Sequence, residues 1–96
     1  MIEITKKRNG ARRVVFVLPE EVEADRACVV GDFNDWDPSR HPMTRTKAKP
    51  WRVAVDLVPG EYQFRYLVND GEWHDEESVE RCPNPFGGEN ALLALQ

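Results

Sequence analysis

From Tyr62 to Val68 the chain alternates with a period of two. Tyr62, Phe64, Tyr66 and Val68 fall on one face; Gln63, Arg65 and Leu67 fall on the other. That pattern predicts a strand whose aromatic face enters a core. Asn69-Asp70-Gly71 predicts a tight turn after it, which lifts Trp73 toward the rim. The same period returns at Trp51, Val53, Val55 and Leu57, set against Arg52, Ala54 and Asp56, so a second, half-buried strand precedes the first. Pro59-Gly60 supplies the turn between the two. Trp51 is in phase with Val53 and Val55, which assigns it to the core.

Residues 2–6 alternate weakly and residues 12–18 read RRVVFVL, with Asn9-Gly10 between them. Two such runs around Asn-Gly predict a β-hairpin. Lys6, Lys7, Arg8, Arg12 and Arg13 crowd its turn. They read as a solvated tip with edge-protecting charges rather than a patch for an anionic partner. Pro19 ends this strand, and residues 20–26 predict a polar loop or one helical turn. Residues 27–30 are a short buried strand. GDFNDWDP at 31–38 then packs turn-formers around two aromatics, Phe33 and Trp36. Thr44 and Arg45 suit an edge strand. The acidic run after Trp73 leads to residues 82–88, whose prolines and glycines predict an irregular loop. Residues 91–95, ALLAL, are apolar on both faces, which places them centrally in a sheet or under a partner chain. About seven short strands without a helix predict an all-β fold, an antiparallel sandwich of immunoglobulin-like size.

Composition narrows the function more than the fold. The chain has 96 residues, 41% hydrophobic and 31% charged, enough for a single domain over 1–96 with one modest core. No apolar run approaches a membrane span and no charged-then-apolar leader opens the sequence, so a cytoplasmic protein without a membrane partner is expected. A net charge of −4 and a pI near 5.1 argue against a nucleic-acid partner, which asks for a basic surface. Cys28 lies in an apolar strand and reads as a buried thiol; Cys28 and Cys82 form no metal-like pair, and nothing demands a disulfide.

Several motifs stand in order: VVGDFNDWDP, then W-x-V-x-V-x-L-x-P-G-x-Y-x-F-R-Y-L-V, then GEW, then NPFGGEN. Together they resemble the glycogen-binding modules of carbohydrate-binding module family 48. That family includes the module of the AMP-activated kinase β subunit and the early-set domains preceding the catalytic barrel of isoamylases and branching enzymes. The similarity spans nearly the whole chain and implies a β-sandwich, in agreement with the pattern above. It also implies binding of α-1,4-linked glucans such as glycogen, starch or maltooligosaccharides, with no cofactor. Trp36 and Trp73 resemble the family's two stacking tryptophans. Arg65 stands where the kinase module has a lysine, and Asn90 is similar to its hydroxyl-binding asparagine. Phe86 falls where that module inserts an apolar side chain against the glucan. The chain departs from the kinase module in two places. Gly88 replaces a threonine, which removes one hydroxyl contact, and the turn before Trp73 is one residue longer. The module is expected to stand without a catalytic domain.

These residue types suit that chemistry. An indole covers the apolar C–H face of a glucose ring at little conformational cost. Arg65 offers donors, and the Asn90 amide offers both donor and acceptor. Two indoles at an angle follow a helical α-glucan, whereas a flat row suits a straight β-glucan. The bland readings stand beside these. Trp36 or Trp73 could lid the core, Arg65 could pair with Asp75 or Glu72 at the surface, and Asn90 could terminate a loop. An enzyme is not expected. Asp32, Asp35, Glu72 and Asp75 are the carboxylates available for glycoside hydrolysis, but they sit in turns of a domain too small to enclose a substrate. Asp32, Asp35 and Asp37 lack the spacing of a calcium loop and read as turn chemistry. His41 and His74 read as isolated, solvated side chains. The competing function is a docking module of the same fold for a glucan-metabolising enzyme or kinase, its sugar site reduced or lost.

Overall fold

The computed structural model describes residues 1–45, 50–85 and 87–96. Eight strands follow in chain order: β1 (Ile2–Lys6), β2 (Arg12–Val17), β3 (Ala27–Gly31), β4 (Arg52–Leu57), β5 (Gly60–Val68), β6 (Glu72–His74), β7 (Arg81–Pro83) and β8 (Glu89–Leu95). The one helical element among the described residues is a 3-10 turn at Asp32–Asn34. One antiparallel sheet has the order β1-β2-β4; the other has the order β3-β5-β8-β7, with β6 also paired to β5. The all-β sandwich expected from the alternation is the fold found.

The core lies between the sheets. From the first it takes Val14, Phe16, Val55 and Leu57; from the second, Val29, Phe64, Tyr66, Val68, Ala91, Leu93 and Leu95. Phe16 of β2 meets Phe64 of β5 edge-on at 5.0 Å, which joins the two layers directly. Burial of each such ring stabilises by roughly 1.5–3 kcal/mol, so β5 is the best-fastened strand of its sheet. Trp51 is half-buried and packs against this core, as its phase predicts. Glu76 is the one buried carboxylate among the described residues, 4% exposed. It accepts from the Tyr66 hydroxyl at 2.7 Å and the Ser78 hydroxyl at 2.8 Å, which ties the acidic segment to the core strand. Burial alone would raise its pKa, but hydrogen bonds from the amino terminus, Tyr66 and Ser78 outweigh it and hold the carboxyl below the usual range.

The structure sharpens the expected strand pattern. Among the described residues the strands number eight, against about seven expected. β6 and β7 occupy stretches read as a rim position and an irregular loop. Each is three residues long, too short to show a period, and each forms by pairing with a longer neighbour. β6 pairs with the end of β5 (Leu67 opposite Trp73), and β7 pairs with the start of β8 (Cys82 opposite Asn90). Pro83 is admitted because β7 is an edge strand, where a missing N–H leaves no ladder bond unmade. β8 lies between β5 and β7, the central placement of the two its composition allowed. Thr44 forms an isolated bridge to Arg52, with both N–H to carbonyl bonds at 2.9 Å.

The basic hairpin tip is tied inward. Lys7 lies 2.7 Å and Arg13 3.2 Å from the Asp56 carboxylate, and Arg12 donates to the carbonyls of Gly10 and Gln96. Gly10 supplies the left-handed residue (φ 85°) of the Asn-Gly turn. Both cysteines are free; Cys28 is buried, and burial raises its thiol pKa. Among the described residues no helix is long and apolar enough to cross a membrane, and no cluster of His, Cys, Asp or Glu is placed to hold a metal ion.

Candidate functional site

The inward aromatics of β5 leave Gln63, Arg65 and Leu67 on the outer face of its sheet. Trp73 sits directly opposite Leu67 on β6, so its indole is delivered to that same face, 49% exposed. The delivering turn places Asn69 (φ 52°) and Asp70 (φ 61°) in the left-handed region, which short polar side chains tolerate best. Gly71 N–H closes it on the Val68 carbonyl at 3.2 Å. Asn69 Oδ1 accepts from Asp25 N–H at 2.8 Å and fixes the turn to the preceding loop. The Arg65 guanidinium lies over the Trp73 ring, 5.1 Å from its centroid, and its Nε donates to Asp75 at 2.9 Å. Arg65 is thus both paired, with Asp75 of the two expected carboxylates, and stacked. Its terminal nitrogens carry the remaining donors.

Trp36 comes from the loop after β3. Gly31 ends that strand pressed against β5: a Cβ there would lie 2.5 Å from the Gln63 carbonyl oxygen and 2.8 Å from Phe64 Cβ. Only glycine permits that approach. The 3-10 turn follows, and then Asp35 (φ 56°) and Trp36 (φ 58°) both adopt left-handed backbone. A bulky aromatic in that region is strained by about 1–2 kcal/mol. The strain is held by Asn34, which is 1% exposed. Its Oδ1 accepts from Gly31 N–H at 3.0 Å, and its Nδ2 donates to the Val29 carbonyl at 3.1 Å and to His41 Nδ1 at 2.8 Å. Trp36 N–H then returns to the Gly31 carbonyl at 3.0 Å. The two aromatics of this loop part company. Phe33 stacks on Phe16 of the core, 5.7 Å between centroids, while Trp36 faces outward, half-buried.

Asn90, at the start of β8, is 7% exposed and lies within a chain of amides. Gly88 N–H donates to Asn84 Oδ1, Asn84 Nδ2 to Asn90 Oδ1 at 3.1 Å, and Asn90 Nδ2 to Gln63 Oε1 at 3.0 Å. That order sets the Gln63 amide with its nitrogen as the outer end. Trp36, Arg65, Trp73 and Asn90, the expected site residues that fall among those described, line one groove of about 550 Å³. Phe86, the fifth, lies outside the described residues. Gln63, Asp32, Asn84, Pro85 and Gly88 complete the lining. Gln63 was legible in principle, since it stands two residues before Arg65 and therefore on the same face. Asp32 reads from sequence as a turn-former, and nothing local tells that its carboxylate reaches β5.

The histidines need correction. His41 is neither isolated nor fully solvated: it is half-buried, accepts from Asn34, and meets Phe33 edge-on at 5.7 Å. His74 Nε2 lies 3.8 Å from Glu72. Both backbone partners of Asn34 fix its amide orientation, so His41 Nδ1 must be an unprotonated acceptor. Burial, then the Arg40 charge, push its pKa below 6.5. The unfolded chain therefore takes up a proton first as pH falls. The contribution of His41 to stability is present above pH 6.5 and is lost as pH falls through its lowered folded value. Thermal melts from pH 7.5 to 5 are expected to show this decline, flattened in His41→Gln; an equally steep decline in the variant would assign it to another group.

The chain was also compared with known proteins. The family described as the glycogen recognition site of AMP-activated protein kinase matches residues 13–96. A 1,4-alpha-glucan branching enzyme GlgB of Paraburkholderia xenovorans is 49% identical over 51 residues, covering 50% of this chain and 7% of that enzyme. The branching enzyme GlgB 1 of Xanthomonas campestris pv. campestris is 43% identical over 54 residues, 54% of this chain and 7% of its own length. GlgB 2 of the same organism is 38% identical over 45 residues, 47% of this chain and 6% of its own. The chain thus spans only 6 or 7% of the length of these relatives.

Proposed function

The chain belongs to the family of glycogen-recognition domains represented in AMP-activated protein kinase, and from that premise we propose that it is a non-catalytic module binding α-1,4-linked glucans in the groove between Trp36 and Trp73. The observation that carries this reading is the convergence of two accessible indoles, a guanidinium and an oriented amide chain on one face of a rigid sheet. The indoles stack on the apolar faces of glucose rings, while Arg65 and the Asn90–Gln63 amides read hydroxyl edges. Burying about 100 Å² of apolar area at each indole contributes ~2.5 kcal/mol. Two or three hydrogen bonds add ~1 kcal/mol each. Subtracting about 4 kcal/mol for association leaves an affinity on the order of 1 mM. That suffices on a polymer, where sites repeat along the strand.

Branching enzymes, to judge by their name, act on 1,4-alpha-glucans, and the local similarity to them supports the same substrate class here. Titration with maltoheptaose, followed by tryptophan fluorescence, tests the proposal. Half-saturation near the estimated affinity is expected; no response at ligand about tenfold above it would leave only the docking alternative.

A further inference from the structure

We propose that Asp32 is a positioning residue that sets the attitude of the Trp36 indole over the groove. The last β3–β5 pair is Gly31 with Phe64. Just beyond it, Asp32 Oδ2 accepts the backbone N–H of Gln63 at 2.8 Å, standing in for the strand that has ended. Its other oxygen, Oδ1, accepts the Trp36 indole N–H at 3.1 Å. One carboxylate therefore joins the ring to the backbone of the platform strand. The left-handed backbone at Trp36 and its N–H bond to Gly31 hold the main chain of the turn, but they leave the side-chain torsions open. A donor gripped at the ring edge closes them. Two consequences follow. The ring meets a ligand with its face, because its only polar atom is already engaged. The polar reading of the ligand then falls to Arg65 and the amide chain.

This inference rests on the glucan reading for its affinity readout and on a second readout that needs no ligand. Asp32→Ala is expected to weaken maltoheptaose binding about fivefold, the scale of one hydrogen bond's worth of ordering. In a Trp36→Phe background, which keeps a ring but has no N–H to grip, the same change is expected to cost less than twofold. Equal losses in the two backgrounds, or no loss in either, overturn the assignment, because Asp32 would then act through the scaffold or not at all. The second readout is hydrogen exchange of the indole N–H groups in the unaltered protein, resolved by NMR. The Trp36 indole is expected to exchange at least severalfold more slowly than that of exposed Trp73; equal rates overturn the assignment even if no variant folds. Absence of any maltoheptaose binding by the unaltered protein counts instead against the proposed function, and the exchange result then decides on Asp32 alone.

Discussion

Trp73→Ala is expected to abolish retention on glycogen while leaving the melting temperature nearly unchanged. The side chain is 49% exposed and stands on the outer face, away from the core cluster. Its removal therefore opens no core cavity, and the lost contact with Arg65 is worth about 0.5–1 kcal/mol. Binding has more to lose. One of the two proposed stacking surfaces disappears, about 2.5 kcal/mol of apolar contact or nearly a hundredfold in affinity. Arg65 also loses the ring over which its guanidinium lies. From a starting affinity on the order of 1 mM, such a drop leaves nothing measurable on a glycogen-containing native gel. Retention equal to that of the unaltered protein would mean that the sugar platform lies elsewhere.

The second large effect is on stability. Asn34→Ala is expected to lower unfolding free energy by about 3 kcal/mol, read by urea denaturation. The side chain is buried and serves three partners at 3.1 Å or less. Alanine leaves Gly31 N–H, the Val29 carbonyl and His41 Nδ1 without it, and each unsatisfied buried group costs about 1–3 kcal/mol. The same change releases the turn that holds Trp36 in strained backbone, so any folded variant is expected to bind maltoheptaose more weakly as well. A variant with unchanged stability would show that the turn is held by other contacts.

These two positions also show what the sequence reveals. Trp73 could be placed from the alternation of β5 and the turn signal after it, because both signals are local and both are strong. Trp36 could be placed at the surface from its neighbours, and Arg65 on the outer face from phase alone. Asn34 could not be singled out, because it stands in a run of turn-formers and its partners are chosen by the fold. His41 was misread for the same reason. It sits seven residues from Asn34, outside any helical or strand period, and only the loop's path brings the two together. β6 and β7 escaped because three residues carry no period and because Pro83 reads as a breaker until its strand is known to be an edge. Asn90 gained partners that no local signal shows. Sequence weighed ligand contact against loop termination, and the structure places it in the middle of an amide chain that ends on Gln63.

The most direct test of the central claim is an NMR titration that follows the three indole N–H resonances as maltoheptaose is added. The account predicts that Trp36 and Trp73 shift together along one saturating curve while Trp51, packed against the core, stays in place. Stationary Trp36 and Trp73 signals, or shifts confined to residues of the β1-β2-β4 sheet, would contradict it.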